Sequence, residues 1–187
     1  MLSGARAGHG FSLIELLVAM AILGLLMAAA GPGFSEWIAN SRVRTTAESI
    51  QNGLMLAKAE AVRRNAKVQF VMTDSAPTVA NIDAITASTT GSGWLVRKYR
   101  ATGTYVSADF IQGRSIAEGG TNTTVTAGQS SFVFSGIARL SPIPGATVNV
   151  NVSGSGATRP LRITVTQGSA IRMCDPALSI ATSTMGC

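Results

Sequence analysis

Gly10-Phe11-Ser12-Leu13-Ile14-Glu15-Leu16 opens the stretch that decides how this chain is built. From Phe11 to Ala30 twenty residues are apolar or small, with a single acid at Glu15, behind a ten-residue leader that carries Arg6 and His9. At about 1.5 Å per residue a helix of that length is roughly 30 Å long, the hydrocarbon thickness of a bilayer. Its N-terminal position leaves two fates open. It is a retained membrane helix, or it is a signal peptide removed near Ala28-Ala29-Ala30 to release a secreted, soluble β-rich domain. Glu15 argues for retention, because a carboxylate at the centre of a membrane helix costs about 2.5–3.5 kcal/mol on insertion scales and an acid held there has a partner and a task.

The run Gly10 to Leu16 resembles the processing site of type IV pilins and pseudopilins. The resemblance implies that residues 1–10 are a prepilin leader, that a prepilin peptidase cuts between Gly10 and Phe11 and methylates the amine of Phe11, and that residues 11–34 remain as a transmembrane and filament-core helix. It also implies an assembly role for Phe11 and Glu15, with the Glu15 carboxylate meeting the Phe11 amine of its own or a neighbouring subunit. Low dielectric strengthens such a pair and desolvation takes back much of the gain, so the expected product is subunit register. Pro32, between Gly31 and Gly33, matches the helix-breaking proline common in these proteins: it removes a backbone donor and kinks the rod, or simply marks where the membrane helix ends. The location implied is the bacterial inner membrane, crossed once, with residues 35–187 as a periplasmic globular domain and the assembled filament as the destination.

The chain has 187 residues, enough for one soluble domain beyond the membrane helix. Charged residues make up only 13%, with 15 Lys plus Arg against 9 acids; removal of Arg6 with the leader leaves 14 cations. A basic balance is compatible with nucleic acid, anionic lipid or acidic protein and selects none of them. The two cysteines, Cys174 and Cys187, both lie in the tail. In an oxidising periplasm they read as a disulfide, contributing about 3 kcal/mol by loop entropy and pinning an otherwise fraying end. Two thiols without histidine make a poor metal site, and neither a metal nor a cofactor is expected.

From Ser35 to about Ala66 the composition is helical. Val43, Ala47, Ile50, Leu54, Ala57 and Ala61 recur at steps of four and three, with Arg44, Glu48, Asn52 and Arg63 opposite. This predicts a helix that packs a narrow stripe on a sheet, with Gly53 as a weak point. The period then falls to two. Strands are predicted at Val68 to Met72, Trp94 to Lys98, Thr104 to Ile111, Ser131 to Phe134, Ala138 to Ser141, Thr147 to Val152 and Leu161 to Thr166, antiparallel because the connections are short. Asp74 to Gly93, Ala117 to Gln129 and Ser153 to Thr158, rich in Thr, Ser, Gly and Ala, are predicted as exposed or mobile loops. The expected class is α+β and pilin-like: a long N-terminal helix, membrane-spanning in its first half, packed on an antiparallel sheet domain with a disulfide-closed tail.

Gly93-Trp94-Leu95-Val96, Phe134-Ser135-Gly136, the run Leu161 to Val165 and Ile171-Arg172-Met173-Cys174-Asp175-Pro176 resemble the GspH/FimT family of minor pilins and pseudopilins. That resemblance implies a structural subunit of a type IV pilus or a type II secretion pseudopilus, with other pilins, the prepilin peptidase and an inner-membrane assembly platform as partners. The single histidine, His9, falls in the leader, so the mature chain lacks imidazole for a Ser-His-Asp triad or a Cys-His pair. Asp74, Asp83, Asp109 and Glu118 are scattered without calcium-loop spacing, and no enzyme is expected.

Three basic groups stand out: Arg63, Arg64 and Lys67; Arg97, Lys98 and Arg100; and Arg159, Arg162 and Arg172. Their plain reading is helix-dipole and surface charge. Their sharper reading is DNA capture, since some family members bind DNA in natural transformation through a Gly-Arg-x-Arg motif before the first tail cysteine. Here the motif reads Ser169-Ala170-Ile171-Arg172. Arg172 matches the second arginine while Ala170 replaces the first, which removes a phosphate contact and weakens this alternative, left to Arg172 with Arg159 and Arg162.

Overall fold

A computed structural model describes residues 11–115 and 122–187, without the side chains of residues 29–32. The Gly10 side of the processing site, the leader and the side chain of Pro32, with its expected kink, lie outside the described residues. The chain divides into two compact units, Met1–Ser35 and Glu36–Cys187. One helix, α1 (Leu13–Arg64), runs through both in sequence.

In the first unit α1 starts on a side-chain cap. The Glu15 N–H donates to Ser12 Oγ at 3.2 Å, so the sequence Ser12-x-x-Glu15 satisfies one of the donors orphaned at a helix start. Leu13, Ile14, Leu16, Leu17, Ile22, Leu25 and Met27 are all exposed. Among the described residues no single helix is long and apolar enough to cross a membrane, whereas Leu13–Ala28 and Gly33–Arg64 qualify together by length and composition.

In the second unit the predicted stripe Val43, Ala47, Ile50, Leu54, Ala57 and Ala61 is fully buried. It meets two antiparallel four-stranded sheets. The strands are β1 (Val68–Thr73), β2 (Gly93–Lys98), β3 (Phe110–Arg114), β4 (Thr123–Ala127), β5 (Ser131–Phe134), β6 (Val148–Gly154), β7 (Leu161–Val165) and β8 (Ile171–Cys174). The sheet orders are β3-β2-β1-β5 and β4-β6-β7-β8. Alternate residues from both, Phe70, Met72, Trp94, Val96, Phe132 and Phe134 from the first and Val125, Val150, Val152, Ile163 and Val165 from the second, form one core with the helix stripe.

Gly53, a weak helix former, sits where that core is tightest. A Cβ there would lie 2.7 Å from Phe70 Cε2 and 2.9 Å from Trp94 Cδ2. The two rings stack with centroids 5.9 Å apart, and one turn earlier Ser49 Oγ accepts the buried Trp94 Nε1–H at 2.8 Å. The glycine is therefore the gap that lets the aromatic face of the first sheet approach the helix backbone, and Ser49 satisfies the indole donor brought in with it.

Several sequence expectations are corrected. Residues 104–109 are not strand: Ser107–Asp109 form a 3-10 turn and β3 begins only at Phe110. The reason is local competition for donors, since Asp109 Oδ2 accepts the Val106 N–H at 3.0 Å and Asp83 Oδ1 accepts the Tyr105 N–H at 2.7 Å. Residues 138–141 turn rather than extend; Ala138 has φ +62°, and only Leu140 bridges, to Phe134. Conversely β4 lies within the stretch read as loop, because its threonines alternate with Val125 and Ala127 in register with β6. β8, also unanticipated, pairs with β7. The long connection after β1 is not simply exposed: Ile82 and Ile85 are buried with Val71, Leu95 and Tyr105 on the outer face of the first sheet.

Gly53→Ala should lower stability by about 1–3 kcal/mol, since overpacking outweighs the gain of about 1 kcal/mol in helix propensity. Gly33→Ala, where an added Cβ meets nothing within 4 Å, should not. Chemical denaturation of the detergent-solubilised chain checks both.

Candidate functional site

The N-terminal residues singled out by sequence lie at the very start of α1. Phe11 is 84% exposed, and Glu15 is exposed in the first helical turn. Among the described residues the Glu15 carboxylate has no ion-pair or hydrogen-bond partner. Its backbone N–H is capped by Ser12, and the positive end of the helix dipole favours an acid there. An exposed apolar rod thus carries one anionic group at its tip, available for a cation supplied from outside the described chain.

At the other end Cys174 and Cys187 are joined by a disulfide, with Cα atoms 5.2 Å apart. The loop between them is tied back to the sheet. Asp175 donates its N–H to Met185 O at 2.7 Å, and Asp175 Oδ1 accepts the Ala177 N–H at 2.9 Å. Arg172 closes the arrangement, its Nη2 donating to Thr184 O at 2.6 Å and Gly186 O at 2.9 Å. Tail carbonyls thus engage the guanidinium on which the DNA reading leaned most.

The three tail arginines do not form one cluster of equivalent groups. Arg162 pairs in register with Cys174, and Thr164 with Arg172, so Arg162 and Arg172 share a face of the second sheet on adjacent strands. Arg162 Nε donates to Asn151 Oδ1 at 2.7 Å. Arg159 precedes β7, its N–H held by Asn40 Oδ1 at 3.0 Å, and its side chain lines a groove with Trp37 and Arg44 of α1. Ala170 donates its N–H to Thr166 Oγ1 at 3.1 Å in the turn before β8.

The remaining basic groups are largely engaged within the fold. Arg63 and Arg64 both bond Glu60, at 2.7 and 2.6 Å, and these hydrogen bonds lower the Glu60 carboxyl from its ordinary 4.5 to about 2. Lys67 sits over the Tyr99 ring. Arg97 is buried, with its guanidinium 3.4 Å from the Tyr105 ring centroid, its Nε on Gln69 Oε1 at 3.0 Å and its Nη1 on Ile82 O at 2.8 Å. Burial pushes its pKa down, against the pull of Tyr105 and Asp83. Arg100 bonds Asp109, which lowers that carboxyl. Sequence reading grouped Arg97 with the surface cations; it is instead a buried structural residue. Its signal is the pairing of Gln69 with Arg97, visible only once β1 and β2 are in register. Among the described residues no group of three or more His, Cys, Asp or Glu is placed to hold a metal ion.

An N-terminal helix that is exposed and apolar in one half and buried on antiparallel sheets in the other, with a disulfide-closed tail, defines the class of minor pilins and pseudopilins. Comparisons with known proteins agree. Residues 6–31 match the prokaryotic N-terminal methylation motif, and residues 46–172 match the family model described as type II transport protein GspH. The chain belongs to the GspH family. Two crystal forms of the type IV minor pilin FimU of Pseudomonas aeruginosa PAO1 share the fold. One has a TM-score of 0.55 and 14% identity, covering 71% of this chain and 88% of FimU; the other has 0.52 and 15%, covering 70% and 90%. The minor pseudopilin EpsH of the type 2 secretion system of Vibrio cholerae aligns at a TM-score of 0.48 and 9% identity, covering 73% of this chain and 99% of EpsH. No curated protein matches the sequence.

Because Glu60 titrates lower in the folded chain than its ordinary 4.5, its contribution to stability is complete above that value and is lost as pH falls toward about 2. Denaturation midpoints over that interval should fall less steeply for Glu60→Gln than for the parent. Arg172→Ala should loosen the tail, so that thiol reductant opens the Cys174–Cys187 bond several-fold faster while β1 amide exchange is unchanged; mass-resolved alkylation measures it.

Proposed function

We propose that this minor pilin or pseudopilin is made as a precursor whose residues 1–10 are removed by a prepilin peptidase between Gly10 and Phe11, with N-methylation of Phe11. The mature chain is held in the bacterial inner membrane by residues 11–34, carries residues 35–187 in the periplasm, and is drawn by an assembly platform into a filament with other pilin-type subunits. It works as a structural subunit rather than as an enzyme. The observation that carries this reading is the pairing of a methylation motif with an exposed apolar helical arm bearing one acid near its tip.

Glu15 is the residue on which assembly depends in this reading. In hydrocarbon its carboxylate needs a cation, and the processed amine of Phe11, on its own or an adjacent subunit, is the nearest one the sequence supplies. The role is common to type IV pili and type II secretion pseudopili.

Mass spectrometry of the membrane-fraction protein should find a chain beginning at methylated Phe11; a chain beginning near Gly31 would replace this proposal with a secreted domain. Glu15→Ala should leave the globular unit folded, shown by unchanged exchange of core amides. It should also reduce incorporation into sheared filaments at least tenfold, measured by immunoblot.

A further inference from the structure

β8 is an edge strand of the second sheet. The Thr166 N–H donates to Ala170 O at 3.0 Å, which fixes the direction of every backbone group that follows: Ala170, Arg172 and Cys174 turn theirs toward β7, whereas Ile171, Met173 and Asp175 turn theirs away. The tail covers Asp175, which gives its N–H to Met185 O and accepts the Cys187 N–H at 3.3 Å. Among the described residues the N–H and C=O groups of Ile171 and Met173 meet no hydrogen-bond partner. Other sheet edges are better covered. β5 accepts the Ser141 N–H on Val133 O, and β4 gives its Ala127 N–H to Thr89 O. Unpaired groups along an edge are a template for a further strand.

The side chains of Ile171 and Met173 pack toward the core, and on that side the edge borders a groove of about 580 Å³. Ile171 and Ala138 line it together with Met55 and Val62 of α1, which are 43% and 50% exposed. Lys58 and Arg63 complete the lining, and no acid is part of it. Lys58 Nζ donates to the Ser169 carbonyl at 2.8 Å, a bond that leaves its charge uncancelled. Glu60 is shared between Arg63 and Arg64, so two cations there face one acid. On the opposite face of the same edge stand Arg172 and, one strand further in, Arg162. Both bond carbonyl oxygens, those of Thr184 and Gly186 for Arg172 and that of Asn151 for Arg162, and among the described residues neither makes an ion pair. A strand laid on this edge would send alternate side chains to an apolar groove and to guanidinium groups without a counter-charge.

We propose that the open edge of β8 and the groove beside it receive an extended segment of a partner chain, in which apolar residues alternate with acids, as a fifth strand of the second sheet. Its main chain bonds the free groups of Ile171 and Met173. Its apolar side chains enter the groove against Met55 and Val62, and its carboxylates face Arg172, with Arg162 behind. Main-chain bonds supply affinity whatever the partner's sequence, and the two chemically different faces select an acidic, alternating one. The site lies wholly within the Glu36–Cys187 unit and requires nothing of the N-terminal segment.

The test titrates the full chain in maltoside micelles with a fluorescein-labelled peptide, Thr-Val-Asp-Val-Glu-Val-Thr, followed by anisotropy and by residue-resolved hydrogen exchange. Saturable binding is expected, with the Ile171 and Met173 amides slowed at least about fivefold and the β1 amides unchanged. The same peptide N-methylated throughout, or carrying lysines in place of its acids, should bind at least about tenfold more weakly. Met55→Ser with Val62→Ser, at exposed helix positions whose loss leaves the core intact, should weaken the parent peptide to the same degree. Absence of binding at about 1 mM peptide overturns the proposal. Equal binding of the N-methylated peptide would mean apolar adhesion without strand pairing, and equal binding of the lysine peptide would remove the acidic partner; either overturns it. Slowing of the Ile171 and Met173 amides when the chain is concentrated without peptide would make the edge a contact between two copies and replace the proposal.

Discussion

The close approach of α1 to the first sheet at Gly53 is the constraint around which the Glu36–Cys187 unit is arranged. Phe70 and Trp94 occupy the space where a side chain at position 53 would stand. On the facing helix stripe Ala47, Ala57 and Ala61 alternate with Val43, Ile50 and Leu54; both sheets reach this stripe, and a single helix face closes a core built from eight strands. At Gly53 the missing side chain is matched by the large rings of Phe70 and Trp94 on the first sheet. This division of volume gives the core its density and makes the glycine costly to replace.

Polar side chains complete what apolar packing begins. Ser49 receives the Trp94 indole, and Ser169 Oγ accepts the Leu140 N–H at 2.7 Å, so groups drawn inward with the core keep their hydrogen bonds. On the outer face of the first sheet Arg97 acts as a strut: one guanidinium joins β1 through Gln69, the long connection through Ile82 and the following loop through Tyr105. The same economy applies to the other cations. Arg63, Arg64, Arg100 and Arg172 are bonded to carboxylates or carbonyls of the fold, which fixes where these guanidinium groups lie.

The N-terminal and C-terminal segments of the chain differ in chemistry. The N-terminal arm presents apolar side chains and one carboxylate, a surface suited to hydrocarbon or to other arms like it. The C-terminal tail presents a disulfide-held loop with apolar and cationic groups side by side.

Sequence alone determined the apolar arm with its single acid, the helical stripe from Val43 to Ala61, the antiparallel class of the domain and the cysteine pair, because periodicity, hydropathy and cysteine placement are local properties. It also led to the family, since the residues around Gly10 and Phe11 form a contiguous motif. Tertiary structure alone decided which threonine-rich segment was β4, why residues 104–109 leave the extended state, and where each arginine spends its charge. β4 is strand only because β6 lies beside it, and the turn after Tyr105 exists because carboxylates of Asp83 and Asp109 claim its backbone donors. Arg97 and Arg172 look alike in sequence to the exposed Arg159. Their roles depend on neighbours 12 to 28 residues away, and only the folded chain brings those within hydrogen-bonding distance.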